Sequence, residues 1–181
     1  MPMDLTKESG RLSQVLGDES WEPIPFASTT LQKHRHVCAF FSTPEEEYRV
    51  LLPFIKAGFD RGEKAFHVVD LDLRADHRQR LERVGIDVTG AEESGQFELR
   101  NWQDAYLREG QFDQKRMLAL IEASLDTPKQ RGFPLTRLVA HMEWALLGRP
   151  GSRDLIEYET KVNYITGPRR DPVICTYDLA K

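Results

Sequence analysis

FFSTPEEEYRV, residues 40–50, decides the fold, because it carries an apolar strand straight into a helix start. Val37 to Phe41 is a short β-rich apolar run. Thr43, Pro44 and Glu46 then supply an N-cap, a proline at the first helical position and the glutamate of a capping box. Glu45, Glu46 and Glu47 also favour the positive end of the helix dipole. In many α/β proteins this turn is glycine-rich and cradles a phosphate. Here it holds no glycine, no lysine and three acids that would repel a polyphosphate. The helix is built to start on its own side chains, which leaves little use for a bound anion.

Outward from that turn, Tyr48, Leu51, Leu52, Ile55 and Phe59 make one apolar helix face that ends near Arg61-Gly62, with a kink expected at Pro53. Ala65 to Val69 is the next strand, closed by Asp70, and a charged helix follows from about Asp72 to Val84 and stops at Gly85. Ile86-Asp87-Val88 reads as a short edge segment, Ser94-Gly95 as a turn and Phe97-Glu98-Leu99 as a third strand. A helix from about Asp113 to Leu125 carries Met117, Leu118, Leu120, Ile121 and Leu125, and Gly132 and Pro134 break the chain after it. Thr136 to Met142, a helix over about Arg153 to Ile165, and Val173 to Tyr177 complete the pattern. Strands separated by such helices predict an α/β fold, a mostly parallel central sheet of about five strands with helices on both faces. Residues 1–30, with Pro2, Pro23, Pro25 and Ser28-Thr29-Thr30, read as an N-terminal arm or linker with a short helix near Leu12 to Leu16. Residues 31–181 are the folded domain.

Composition narrows the function. With 181 residues, 40 % hydrophobic and 30 % charged, the chain can bury one ordinary core. The longest apolar run is far too short to span a membrane and the N-terminus lacks a signal-peptide pattern, so a cytoplasmic protein is expected. A net charge of −4 with interspersed basic residues gives no general attraction to nucleic acid or anionic lipid. Arg74, Arg78, Arg80 and Arg83 with His77 read as a solvated helix face.

In open parallel sheets, ligands sit at the carboxyl ends of strands near a switch in strand order. That points to Phe40, Phe41 and Ser42, to His141, Met142, Glu143 and Trp144, and to Tyr177 and Asp178. His36 and Cys38 alternate onto one face of their strand, and with Cys175 and His141 they make a candidate zinc set. The plainer reading is that both cysteines are small, reduced core residues. Cys38 with His141 also lacks the exposed sharp turn of an activated nucleophile. Glu143 either faces a ligand or pairs with an arginine such as Arg137. In Tyr158-Glu159, the tyrosine is expected to face the core and the glutamate solvent, a joint ligand role being the alternative.

The order of these pieces resembles a known family. His36-x-Cys38 with Phe40-Phe41, then Pro53-Phe54-x-x-x-Gly58-x-x-x-Gly62-Glu63, then Glu143-Trp144, Tyr158-Glu159 and Cys175-x-Tyr177-Asp178 are similar to the MEDS sensory domain of methanogens and methylotrophs, over residues 34–179. The resemblance implies a RecA-like or KaiC-like three-layer core without a phosphate-binding loop. It also implies a prokaryotic signalling role and a small hydrocarbon-derived ligand. Such domains are commonly joined to a DNA-binding module or a histidine-kinase region; here the output is expected to pass through a signalling partner, such as a histidine kinase or transcription regulator, or through homo-oligomerisation. The expectation is therefore a non-enzymatic sensor with no cofactor, no resident metal and no direct nucleic-acid contact. Its candidate ligand residues are His36, Cys38, Phe40, Phe41, Glu143, Trp144, Tyr158, Glu159, Cys175 and Tyr177. A ligand-free interaction module on a degenerate ATPase-like fold is the alternative, and an enzyme or metal protein the third.

Overall fold

Apolar residues alternate with polar ones from Ile24 onward, and the chain folds there into a small hairpin, β1 (Ile24–Phe26) and β2 (Thr29–Leu31). In the computed structural model, which describes residues 21–105, 107–108, 111–148 and 152–180, the hairpin buries Ile24, Phe26 and Leu31 beside helix α1 (Pro44–Asp60). The segment expected as an arm thus contributes core residues. The helix expected at Leu12 to Leu16 lies outside the described residues.

The remaining long strands are β3 (His36–Phe41), β4 (Lys64–Val69), β5 (Phe97–Asn101), β8 (Thr136–His141) and β9 (Val173–Asp178). They form one sheet ordered β3-β9-β8-β4-β5, with every neighbouring pair parallel. Parallel pairing follows from the crossovers, because helical segments join successive strands. These are α1, then α2 (Arg74–Arg83) and α3 (Val88–Glu93), then α4 (Trp102–Ala105) and α5 (Gln114–Gln130), and finally α6 (Leu155–Thr166). A two-stranded ribbon, β6 (Leu107–Arg108) with β7 (Gln111–Phe112), precedes α5.

Strand alternation divides the core in two. Ala65, Val69, Leu99, Val139 and Ile174 pack with α1, α2, α3 and the hairpin, whereas Phe66, Val68, Leu138, Ala140, Val173 and Cys175 pack with α5 and α6. The result is the expected three-layer sandwich. Strand order reverses between β4, which leads outward to β5, and β8, which leads the other way to β9. The crevice at their carboxyl ends is the topological switch point.

Two boundaries differ from the sequence reading. The segment at Ile86-Asp87-Val88 is a helix start, because the Asp87 carboxylate accepts the Gly90 N–H at 3.0 Å and caps α3. Helix α5 runs to Gln130, past the expected end at Leu125, and takes the buried Pro128 into its last turn.

The spaced motif Pro53-Phe54-x-x-x-Gly58-x-x-x-Gly62-Glu63 is a device for burying Arg137. The Arg137 guanidinium pairs with Glu63, donates to the Phe54 carbonyl at 2.6 Å and lies over the Phe54 ring. A Cβ on Gly58 would stand 2.6 Å from Arg137 Cδ, so only glycine admits the arginine. Arg137 therefore pairs with Glu63 and not with Glu143, the partner the sequence offered.

Candidate functional site

Three rungs of the β3/β9 ladder build one candidate site. His36, Cys38 and Phe40 share a face of β3, and parallel register sets Cys38 beside Cys175 and Phe40 beside Tyr177. The Phe40 and Tyr177 rings stack with centroids 5.0 Å apart. Helix α6 crosses above and supplies Glu159 and Asn163, four residues apart and so on one helical face. Glu159 Oε2 meets His36 Nε2 at 3.0 Å, and Cys175 Sγ lies 3.6 Å from that same nitrogen. Asn163 Oδ1 bonds His36 Nδ1 at 2.9 Å and fixes the ring, while the Tyr177 hydroxyl donates to Glu159 Oε1.

Burial opposes a charge on His36, but hydrogen bonding to Cys175, Cys38 and Glu159 outweighs it and pushes its pKa up to about 12. Burial and the Glu159 carboxylate push the Cys175 thiol up to about 12 as well. The same two causes raise the Tyr177 phenol. These shifts favour the protonated forms of the imidazole and of the thiol. The site opens into a groove of about 420 Å³ lined further by Leu146, Leu155, Ile156 and Thr160.

A second cluster lies across the sheet at the switch-point crevice. Glu47 reaches in from the first turn of α1, His141 from the end of β8 and Glu143 from just beyond it. Their donor atoms lie within 4.8 Å of one another and all three side chains are buried. Behind them the Tyr48 hydroxyl meets His77 Nδ1 at 2.6 Å, and His77 Nε2 meets His67 Nδ1 at 2.9 Å. Burial holds His67 down to about 3 and His77 well below its ordinary value, so both imidazoles are neutral. Burial raises the Glu47 carboxyl, an effect that His141 partly offsets. At the helix start, Thr43 Oγ1 accepts the Glu46 N–H at 3.2 Å and Glu46 Oε2 accepts the Ser42 N–H at 3.0 Å. The capping box read from the sequence is present, with its return bond made one residue before the cap.

Of the ten sequence candidates, His36, Cys38, Phe40, Glu159, Cys175 and Tyr177 come together. The other four are placed elsewhere. Phe41 points to the opposite face of β3 and is buried there; Trp144 and Tyr158 pack against Phe112 in the core, the tyrosine edge to face; Glu143 joins His141 in the crevice. Strand alternation and the turn after β8 separate them. The six that come together line a groove along the β3 edge of the sheet. The mixed set of His36, Cys38, Cys175 and His141 is likewise divided, because His141 lies on the other face and Glu159 takes its place. Cys38 is exposed, not a core residue, because β3 is the edge strand. Glu159 faces β3 and not solvent.

Sequence reading missed Glu47, His67 and His77. His77 was read on a solvated face, yet it is fully buried, and His77 with Leu81 forms the inward line of α2. Their spacing of four was the available signal. Nothing comparable marked Glu47, for which a place at the positive end of the helix dipole was sufficient explanation.

A family model described as MEDS, the MEthanogen/methylotroph, DcmR Sensory domain, matches residues 35–181. The chain belongs to the MEDS family. It is similar to the transcriptional repressor DcmR of Methylorubrum extorquens, with 28% identity over 155 residues, which cover 84% of this chain and 55% of DcmR. The MEDS chain thus spans about half the length of that curated relative. The crystal structure of a KaiC-like protein from Pyrococcus horikoshii OT3 superposes with a TM-score of 0.60 at 17% identity, over 91% of this chain and 69% of the other. At that identity the likeness concerns the fold alone, and it bears out the RecA-like core. Among the described residues, no helix is long and apolar enough to cross a membrane.

Proposed function

We propose that this MEDS domain binds a small, mostly apolar organic molecule in the groove between β3 and α6 and passes the signal to a regulatory protein. One observation carries the reading: a cluster of polar groups, His36, Cys38 and Glu159, stands at one end of a groove walled by Phe40, Tyr177, Leu146, Leu155 and Ile156. Small-ligand pockets have this make-up, apolar walls with a few placed polar groups. Small hydrocarbon derivatives, the class that the family resemblance implies, suit its size. The switch-point crevice offers less, since the protein's own imidazoles and carboxylates fill it and side chains cap the helix start.

A signal requires unequal ligand affinity for two conformations, one of which the partner reads. The relative being a transcriptional repressor supports a regulator as that partner.

Melting of the purified chain against small alcohols, methylated amines, halogenated hydrocarbons and Mg-ATP tests the reading. A ligand at about 100 times its Kd adds about 2.7 kcal/mol, or about 5–10 °C for this length. One organic class is expected to give the shift, and Phe40→Ala to remove it. A shift with Mg-ATP alone, or one indifferent to Phe40→Ala, overturns it. A ligand-free interaction module is the second reading, favoured by the exposure of Phe40 at 59% and Ile156 at 81%. A stable partner complex that needs no small molecule would establish it.

A further inference from the structure

We propose that His36, Cys38, Cys175 and Glu159 form a binding site for a thiophilic divalent cation of the zinc class. Donor atoms of His36, Cys38 and Glu159 lie within 4.8 Å of one another. Cys175, the register partner of Cys38, brings a second sulfur to 3.6 Å from His36 Nε2 but stands outside that mutually close set, so it has to turn inward to become the fourth ligand. Tetrahedral zinc, with bonds of about 2.0–2.3 Å, holds its donors roughly 3.3–3.8 Å apart. The separations of 3.0 Å for His36 to Glu159 and 3.6 Å for His36 to Cys175 are on that scale.

Two supporting contacts are those a metal site uses. A ligating histidine commonly donates its other ring N–H to an oxygen acceptor, as His36 Nδ1 does to Asn163 Oδ1, and this aims Nε2 at the two sulfurs and the carboxylate. Ligating carboxylates are themselves hydrogen-bonded, as Glu159 is by the Tyr177 hydroxyl. The donors come from three elements, two adjacent strands and a helix above them. Cys38 is exposed, which gives an ion a path in.

Binding displaces the protons from His36 Nε2 and from the thiols, as at any site with imidazole and thiolate ligands, and the donor set selects the ion. Two sulfurs, an imidazole and one carboxylate suit zinc, whereas magnesium and calcium prefer all-oxygen shells. The Glu47–His141–Glu143 cluster has no sulfur and every member is buried, so it presents a different donor class with no exposed ligand. The cation site stands at the head of the groove assigned above to an organic ligand, and it needs no such ligand to form.

The test is titration of the metal-free, reduced full chain with Co²⁺ alone. One ion per chain is expected, with the intense visible bands of tetrahedral cobalt and a near-ultraviolet thiolate charge-transfer band, both abolished by adding Zn²⁺. Cys38→Ser, at an exposed position, should cut the charge-transfer band to about half and weaken binding at least about tenfold. Asn163→Ala should keep the bands but weaken affinity about 10- to 100-fold, whereas Glu47→Gln should change neither. A pale spectrum without the thiolate band overturns the proposal. So do bands that survive Cys38→Ser unchanged, or that vanish with Glu47→Gln, which would move the ion to the crevice. No organic ligand is present, so failure here leaves the groove reading intact, and failure of the organic panel leaves the metal site intact.

Discussion

The sheet carries a histidine cluster on each face, and the two have opposite electrostatics. On the α1/α2 face, His67, His77 and His141 are fully buried, and His67 and His77 are held neutral. On the α6 face, hydrogen bonding to Cys175, Cys38 and Glu159 raises the pKa of His36, which borders a groove beside an exposed cysteine. The difference comes from sheet position. The first cluster lies beneath α1 and α2 near the middle of the sheet, where each imidazole must find a buried partner. The second lies on the edge strand, where one helix covers it incompletely. The inner cluster is consequently closed within the core, whereas the outer one borders an open groove.

That contrast predicts a graded series of effects. Arg137→Met, which leaves the buried Glu63 with only the half-exposed Arg61 at 3.0 Å, should destabilise the domain by about 3 kcal/mol; chemical denaturation measures this, and a loss below 1 kcal/mol would break the contrast. His77→Ala removes the link between Tyr48 and His67 and opens a cavity, for an expected loss of about 3 kcal/mol.

The pH dependence has a definite sign. His67 and His77 titrate far below their unfolded value of 6.5, so the unfolded chain takes up protons first as pH falls. The stability they contribute is complete above pH 6.5 and declines below it, by about 1.4 kcal/mol per pH unit for each imidazole. Glu47, with a raised pKa, binds its proton more readily when folded and opposes this decline. His36, whose pKa is raised to about 12, acts with the opposite sign, its contribution being complete below pH 6.5 and lost as pH rises above it. The two buried imidazoles outweigh it below pH 6.5, so denaturation between pH 6.5 and 5.5 should show a positive slope, and a flat profile there would mean that the inner imidazoles are charged.

The smallest effect belongs to the outer face. Cys38→Ser should shift stability by no more than about 0.5 kcal/mol while altering the response to metal. Unfolding by that change would make the outer cluster architecture too.

The spacing of Thr43, Pro44 and Glu46 was enough to locate the capped helix start, and alternation of apolar runs with helical stripes was enough for the parallel sheet. Both are local signals, carried by neighbours in sequence. The short α3 was misread because Ile86-Asp87-Val88 is equally compatible with an extended segment, until the Asp87 side chain bonds the Gly90 N–H. At the site, His36-x-Cys38 was legible as a shared strand face. Whether Glu143 or Glu159 would complete it was not, since both are acids beside an aromatic residue.

The sequence by itself determined the α/β class, the loss of a phosphate-binding turn and the two-residue alternation that puts His36, Cys38 and Phe40 on one face. Only the tertiary structure decided that β9 is the neighbour of β3, which sets Cys175 beside Cys38 and brings Glu159 over both. It also sent Glu143 to the far face with His141. The reason is physical: periodicity is a property of one strand, whereas strand order and register come from how the crossover helices pack, and no single strand records them.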